Sequence, residues 1–196
     1  MANNKLQIET GTDNSVLRTK SKVVKDFAMK GPRTDLPLCA FVKEMSKMLE
    51  AEKGLGFAAP QAGEDLRICL CNLNKDSSHE VLMVLVNPEI IERSDGRGEE
   101  ERAVLDLRKT GGDAGEGADD GVVAVGEEGC LSLPKFYTLV PRAKWIVVKF
   151  FNGSKMLKKS SVKASDLSEV VLRLEGLNAR VVQHEIDHLN GKMICD

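Results

Sequence analysis

The segment VVQHEIDHLNG, residues 181–191, holds two of the three histidines of this 196-residue chain. His184 and His188 are four residues apart, so on a helix both imidazoles lie on one face, one turn from each other. Two imidazoles placed in this way can bind one metal ion, and Glu185 beside them can act on a water at that ion without being a ligand. The H-E-x-x-H spacing therefore predicts a catalytic metal site rather than two incidental surface histidines.

A catalytic metal of this kind takes three protein ligands and keeps one position open, so a third ligand is needed. The eight residues after His188 contain no His or Glu, and their Cys195 and Asp196 stand at the very end. We therefore expect an upstream ligand, and Cys130 is the best candidate, because EEGCLSLPKF holds its thiol on tight backbone with N–H groups nearby. The other upstream candidates fall on a predicted helix, an apolar strand or a polar turn: Cys39, Cys69, Cys71 and His79.

Hydrophobic spacing predicts the elements that position these residues. Apolar side chains recur at three-to-four spacing over residues 35–52, which predicts an amphipathic helix, whereas GLGFAAPQAG after it is no regular helix. LRICLCNL and VLMVLVNP predict two strands, the second closed by its proline. KWIVVKFF-NG-SKMLKK predicts a hairpin with a type I′ turn at Asn152-Gly153. The last helix is predicted from Leu177 to a stop at Gly191.

Two further segments bear on the organisation of the chain. DLSEVVLRLEG fits either a helix that begins with a capping box of Asp166 and Glu169 or a strand through VVLRL, with Gly176 as the break. Residues 93–126 are rich in Gly, Asp and Glu, which predicts a flexible acidic insertion centred on Thr110 to Gly121. Apart from this insertion, residues 1–196 are expected to form a single domain.

Composition limits the class of protein. The chain is 42% hydrophobic and 30% charged, as globular proteins are, and its net charge of −2 gives no nucleic-acid-binding signature. Its apolar runs are too short to span a membrane, and MANNKLQIETG resembles neither a signal nor a transit peptide. Five cysteines without framework spacing favour a reducing compartment, so we expect a cytoplasmic location.

Three stretches, in order, resemble the signature motifs of peptide deformylases: GLGFAAPQ (54–61), EGCLS (128–132) and QHEIDH (183–188). The family motifs are usually written GxGxAAxQ, EGCLS and QHExDH, and the likeness runs over roughly 15–91 and 128–193. The resemblance implies an α+β fold, with antiparallel and mixed β-sheets packed around a C-terminal metal-binding helix. It also implies an enzyme that hydrolyses the N-formyl group from the initiator methionine of new polypeptides and releases formate.

The resemblance further implies a ligand set of Cys130, His184 and His188. The physiological metal would be Fe²⁺, with Zn²⁺, Ni²⁺ or Co²⁺ able to occupy the same site. A thiolate suits Fe²⁺ and Zn²⁺ alike, so the residues alone leave the metal open. The implied partners are N-formylmethionyl nascent polypeptides, with transient association with the ribosome.

The implied catalytic roles fall on three residues. Glu185 would act as general base and then as general acid. The side-chain amide of Gln61 and the backbone N–H of Leu131 would stabilise the oxyanion together with the metal. Leu177 and Val181 are expected to be core residues that also line a methionine pocket. The full set of implied substrate contacts is Gly54, Leu55, Gly56, Arg142, Leu177 and Val181.

The chain also departs from the family pattern. Phe57 stands where the family usually has Leu, the acidic insertion replaces a short turn, and few residues follow the metal helix. Two other classes of protein remain open. One is an H-E-x-x-H peptidase with a different third ligand, and the other is a non-enzymatic binding module whose metal is structural and closed by four protein ligands.

Overall fold

Two α-helices, seven strands and short 3-10 turns make up the part of the chain that this computed structural model describes, residues 6–96 and 122–196. The strands are β1 (Gly56–Ala58), β2 (Ile68–Leu73), β3 (Val81–Arg93), β4 (Val123–Cys130), β5 (Leu133–Ala143), β6 (Trp145–Asn152) and β7 (Glu169–Glu175). The helices are α1 (Leu38–Ala51) and α2 (Gly176–Leu189). Neither helix has the length and hydropathy that crossing a membrane requires.

The strands form a five-stranded sheet in the order β1-β2-β3-β6-β7 and a separate two-stranded sheet of β4 and β5. Every ladder between these strands is antiparallel. A parallel pairing occurs in the described residues only as an isolated bridge between Lys22 and Leu66. The predicted α+β class, with sheets and a C-terminal helix, is confirmed.

The five-stranded sheet carries one helix on each face. In β2, Ile68 and Leu70 belong to the buried cluster around α1, whereas Cys69 and Cys71 belong to the buried cluster around α2. Successive side chains of a strand point to opposite faces, so the two clusters lie on opposite sides of the sheet. Burial on both faces explains why LRICLCNL reads as a continuous apolar run without polar alternation.

The predicted end of β3 at its proline is wrong, because the strand continues past Pro88 to Arg93. A register shift between Val86 and Glu89 lets the ladder to β6 resume beyond the proline. Asn87 takes a left-handed φ of 53° at this irregularity, and its N–H donates to the Arg67 carbonyl. A bulge tolerates a proline because the ladder is already interrupted there.

The predicted hairpin turn at Asn152-Gly153 is also wrong. A type I′ turn needs positive φ at both central residues, but Gly153 has φ −87° and begins no return strand. Its N–H donates to the Val84 carbonyl, and a 3-10 turn follows at Ser154–Leu157. Pairing of β6 with β3 and β7 replaces the local hairpin.

The segment with two open alternatives forms strand β7, which pairs along its whole length with β6. Asp166 does not cap a helix over 167–175. Instead, its carboxylate accepts from the N–H of Lys163 in a short turn. The predicted last helix is confirmed, with Gly176 at φ 56° at its start and Gly191 at φ 73° after its end. Glycine suits both positions, because left-handed backbone disfavours a Cβ.

The predicted acidic insertion falls mostly outside the described residues, since residues 97–121 are not among them. Its two ends are described. β3 runs to Arg93 and β4 begins at Val123, so strands occupy the margins of the 93–126 range. Ser94 donates its hydroxyl to the Val122 carbonyl at 2.5 Å, which brings the two ends together.

A buried ion cluster fastens the two-stranded sheet to α2. Arg142 on β5 makes two hydrogen bonds of 2.9 Å to the carboxylate of Glu128 on β4, and a third of 2.6 Å to Asp187 on α2. Arg180 on α2 also reaches Glu128, at 2.6 Å, and donates to the carbonyls of β4 and β5. Charges this deeply buried are stable only when they are paired and hydrogen-bonded.

We predict that Arg142→Met lowers the free energy of unfolding by about 3–5 kcal/mol, because it removes the main partner of the buried Glu128 carboxylate and one partner of the partly buried Asp187. The matched control is Arg173→Met, which also breaks an arginine–carboxylate pair. The Arg173 side chain is 51% exposed, against 4% for Arg142, so the control should lose less than about 1 kcal/mol. Urea unfolding measures both, and equal losses would contradict a stabilising role for the cluster.

Candidate metal centre and catalytic cleft

Helix α2 presents the two predicted histidine ligands side by side. Ala179, Val182, Ile186 and Leu189 anchor the helix in the apolar cluster against the sheet. The intervening positions point the imidazoles of His184 and His188 toward the two-stranded sheet, with ring centroids 5.0 Å apart. The amphipathic spacing of the helix thus fixes both the packing and the direction of the two rings.

Cys130 reaches the same place from the end of β4. A register shift follows Gly129, and β5 begins three residues later at Leu133. A small apolar cluster supports this turn from behind: Leu17, Leu133, Val140, Met193 and Ile194. The Gly11 N–H also donates to the Ser132 carbonyl at 3.0 Å, so the N-terminal segment helps to hold the loop.

These three side chains form the one group of potential metal ligands of its kind in the described residues. Their ligand atoms lie within 4.8 Å of one another, and the Cys130 Sγ is 3.2 Å from the His188 Nε2. Burial raises the pKa of the Cys130 thiol to about 12, although the N–H groups of Ser132 and Leu133 oppose this. A thiolate at this position therefore calls for a cation, and a Cys/His/His set suits a divalent transition metal.

Glu128 orients the first histidine, a role that the sequence analysis missed. Its Oε2 lies 2.9 Å from the His184 Nδ1, and a carboxylate can only accept, so this nitrogen carries the proton and Nε2 is left for a metal. Burial by itself would raise the pKa of Glu128, but hydrogen bonds from Arg142 and His184 outweigh it and hold the pKa well below its usual range. The sequence signal that could have identified this role is the position of Glu128 as the first residue of the EGCLS motif.

Glu185 lies beside the histidines with its carboxylate in the protein interior. It is 3% exposed, and its Oε2 has no hydrogen-bond partner among the described residues. Burial, reinforced by Cys69 and Glu128, raises the pKa of Glu185 well above its usual value. A Cβ on Gly56 would collide with this carboxylate, so the glycine of β1 makes room for it.

Gln61 approaches Cys130 from the opposite wall of the cleft. It lies in a 3-10 turn after β1, and its Oε1 accepts from the Ala58 N–H at 2.8 Å. This bond fixes the amide so that its Nε2 points to the Ser132 hydroxyl at 3.3 Å and to the Cys130 Sγ at 3.7 Å. The amide therefore offers a donor next to the candidate ligands.

A single cavity of about 460 Å³ joins most of the predicted site residues. The predicted residues that line it are Gly54, Leu55, Gly56, Gln61, Cys130, Leu131, Leu177, Val181, His184 and Glu185. Val181 is buried, as expected of a core residue. The prediction of Leu177 as a core residue is wrong, because it is 53% exposed at the start of α2, where the cavity opens.

Arg142 is a correction to the predicted substrate contacts. Its side chain is 4% exposed and does not line this cavity, because ion pairs with Glu128 and Asp187 hold it in the protein interior. Arg142 therefore acts on the site through Glu128.

The rejected ligand candidates lie elsewhere. Cys39, Cys69 and Cys71 are buried thiols and His79 is exposed, as the sequence indicated. At the C-terminus, both carboxylate oxygens of Asp196 accept from Arg18, at 2.6 and 2.8 Å.

Comparison with known proteins agrees with this geometry. The polypeptide deformylase family profile matches residues 6–196. A peptide deformylase of Dictyoglomus thermophilum is 36% identical over 185 residues, which is 92% of this chain and 85% of that protein. The crystal structure of the Thermotoga maritima peptide deformylase covers 97% of this chain and 95% of its own, with 28% identity and a TM-score of 0.67.

A Met-Ala-Ser-bound structure of the Acinetobacter baumannii enzyme, a class I type b peptide deformylase, is also similar. It is 25% identical, covers 97% of this chain and 96% of its own, and has a TM-score of 0.66. The profile match, residues 6–196, includes every residue that builds the cleft. The chain therefore belongs to the polypeptide deformylase family of enzymes.

Proposed function

We propose that this enzyme removes the formyl group from N-formylmethionyl peptides through one divalent metal ion held by Cys130, His184 and His188. The observation that carries the proposal is the convergence of three groups: the candidate ligands, of which Cys130 and His184 line the cavity, the buried carboxyl of Glu185 and the amide of Gln61. Hydrolysis of an amide needs an activated water, a proton acceptor and donors for an oxyanion. Family membership supplies independent support.

The three ligands determine what the metal can do. When bound, a divalent metal at three protein ligands with an open position supplies a water of lowered pKa and a Lewis acid for a carbonyl oxygen. We propose Fe²⁺ as the physiological ion, as the family resemblance implies. Zn²⁺, Ni²⁺ or Co²⁺ could take its place, because thiolate and imidazole ligands bind all of these metals. The metal content of protein purified without oxygen tests this assignment.

Glu185 is the proton carrier of the proposed reaction. Its free Oε2 would take a proton from the attacking water and deliver it to the amine that leaves the formyl carbon. A pKa raised by burial suits this exchange, because a general base works best when its pKa lies near the working pH. Burial also keeps bulk water from competing for the proton.

Gln61 and Leu131 would bind the oxygen of the formyl group as negative charge develops on it. The Gln61 Oε1 is already engaged by Ala58, so its Nε2 donors are the part of the amide that faces the cleft. Leu131 follows Cys130 in the turn and lines the same cavity. Fixed donors of this kind stabilise an oxyanion without reorganisation at the moment of reaction.

The substrate side of the cavity suits formylmethionine. Leu55, Leu177 and Val181 give it an apolar wall, which an unbranched thioether can fill. Gly54 and Gly56 line the cavity at the edge strand β1, whose outer edge could pair with an extended peptide. Such substrates are nascent chains, so we propose that the enzyme works in the cytoplasm with transient access to the ribosome.

The rival classes have less support. A peptidase with a different third ligand does not account for Cys130 at 3.2 Å from His188. A closed structural site needs four protein ligands, but the group contains three in the described residues. Glu185 lies beside them, and its Oε2 accepts no hydrogen bond from the described residues.

We predict that the metal-loaded enzyme releases formate from formyl-Met-Ala-Ser and that Glu185→Gln lowers kcat by about 10²–10⁴-fold, because the proton acceptor is lost. The variant should keep its metal, since the glutamate is not a ligand. Formate release and metal analysis on the same samples measure both. No turnover with Fe²⁺, Ni²⁺ or Co²⁺ would refute the proposed function.

We predict that Cys130→Ala weakens metal binding by more than about 100-fold, beyond the 10–100-fold range typical of a residue that only supports a ligand. Cys195→Ala is the matched control, because it removes an exposed thiol outside the cluster. Competition with a chelator measures the affinity of each variant. If Cys130→Ala bound the metal as tightly as the wild type, Cys130 would not be a metal ligand.

We predict that Gly56→Ala lowers kcat by about 10²-fold, because its Cβ would push the Glu185 carboxylate out of place, and small displacements of catalytic groups have effects of this size. Metal content should not change. Kinetics together with metal analysis checks this, and a loss of metal would show that the clash disturbs α2 rather than the carboxylate alone.

A further inference from the structure

Strand β7 forms one edge of the five-stranded sheet, and two hydrogen bonds fix the direction of its backbone groups. At one end of the β6–β7 ladder, the Asn152 N–H donates to the Ser168 carbonyl at 2.9 Å. At the other end, the Gly176 N–H donates to the Lys144 carbonyl at 2.9 Å. Bonded and non-bonded pairs alternate in an antiparallel ladder. The even-numbered residues of β7 therefore bond to β6, and the odd-numbered residues direct their N–H and C=O groups away from the sheet.

This outer edge of β7 is unpaired. The backbone groups of Glu169, Val171 and Arg173 make no hydrogen bond to the described residues beyond those within the sheet. Val171 is 58% exposed, the Arg173 side chain is 51% exposed, and Glu169 is exposed as well. β7, which is described along its whole length, contains no proline and no bulge, the two devices that commonly block an edge. Such an edge is a template for pairing with another strand.

We propose that two copies of this chain associate through their β7 edges, with Val171 at the centre of the contact. A twofold axis brings identical strands together antiparallel, so residues equally distant from Val171 on its two sides face each other. Odd-numbered residues then lie opposite odd-numbered residues, as their outward N–H and C=O groups require. Val171 exchanges two hydrogen bonds with its own copy, and the sheet continues into that of the second molecule.

The side chains match in this register. Glu169 of each copy lies opposite Arg173 of the other, and the two Val171 side chains meet between these ion pairs on the exposed face of the sheet. On the other face, Val170 lies opposite Leu172 of the second copy. Both are partly buried hydrophobics that pack against the cluster around α2, so the contact extends an existing apolar surface. Opposite charges and aliphatic pairs directly across two strands both stabilise the pairing.

The neighbouring registers fit less well. A shift of the centre by one residue in either direction removes both ion pairs. A centre at Leu172 also places Glu169 opposite Glu175, and a centre at Arg173 places the two Arg173 side chains opposite each other. Like charges directly opposite destabilise a pair of strands, so the charges of β7 favour the register centred on Val171.

Arg173 is held in place for this contact. Its guanidinium stacks over the Trp145 ring at 4.0 Å from the centroid, and its Nε donates to Glu175 at 3.0 Å. The two terminal nitrogens bond no other described residue, so they are available to a carboxylate of a second copy. β1 beside the cleft is the opposite edge of the sheet, so pairing at β7 leaves the cleft open. The inference therefore does not rest on the proposed function.

Sedimentation equilibrium of the full-length chain from about 1 µM to about 1 mM covers the range expected for a contact of this size. We expect a reversible equilibrium between monomer and dimer. The dissociation constant should be on the order of 10–100 µM, because one pair of strands is smaller than a standard protein interface.

Charge reversal tests the register. Glu169→Arg and Arg173→Glu each place like charges opposite each other, so each should weaken association by about tenfold or more. The double variant restores both ion pairs with their charges exchanged and should return to within about threefold of the wild type. Glu44→Arg is the matched control, because it makes the same charge change on α1 and should leave association unchanged.

Val171→Pro tests the backbone pairing. The Val171 N–H points away from β6, so proline removes a donor of the dimer and none of the β6–β7 ladder. This variant should be monomeric over the whole concentration range. Thermal unfolding of every variant checks that the fold is intact, and the charge variants decide the question if Val171→Pro does not fold.

A wild type that stays monomeric at every concentration would overturn the inference, because the edge would then be solvated or would serve another partner. A dimer that neither charge reversal weakens would assign the association to another surface. If the double variant stays as weak as the single variants, the register centred on Val171 is wrong. None of these measurements uses turnover, so their outcome and that of the formate assay are distinguishable.

Discussion

The carboxylate of Glu128 is the point on which the rest of the structure depends. It accepts from Arg142 on β5, from Arg180 on α2 and from the His184 Nδ1, so one buried group joins the two-stranded sheet to the helix. Cys130 stands two residues later on the same strand. The distance between the thiol and the imidazoles is therefore set by a fully engaged ion cluster rather than by the loop that carries the cysteine.

The two glutamates of the site are both buried, but their pKa values shift in opposite directions. Glu128 is surrounded by donors, so its pKa is held well below the usual range and it stays ionised. Glu185 is fully buried near Cys69 and further acids, so its pKa is raised well above the usual value. One carboxylate is thereby suited to fixing charge and the other to moving a proton, and the difference lies in their neighbours.

The main sheet contributes stiffness to this arrangement. α1 and α2 bury opposite faces, so β2 is enclosed on both sides, and β1 at the edge lies next to the cleft. Gln61 and Gly56 are attached to this edge, and α2 packs on the same sheet behind the histidines. The walls formed by the β1 edge and by α2 thus share one support, which holds catalytic groups more closely than mobile loops would.

The sequence by itself determined the local features: the two helices, the strands β2, β3 and β6, the H-E-x-x-H face and, through three ordered motifs, the family and the proposed ligand set. Helical and strand periodicity depend on neighbours in the chain, so they can be read from it. Tertiary structure decided what depends on distant partners. Pairing of β6 with β3 and β7 overrode the Asn152-Gly153 hairpin signal, and a bulge carried β3 past Pro88. Arg142 could not be placed in a buried cluster instead of the cleft until Glu128 and Asp187, which are 14 and 45 residues away in sequence, were seen to surround it.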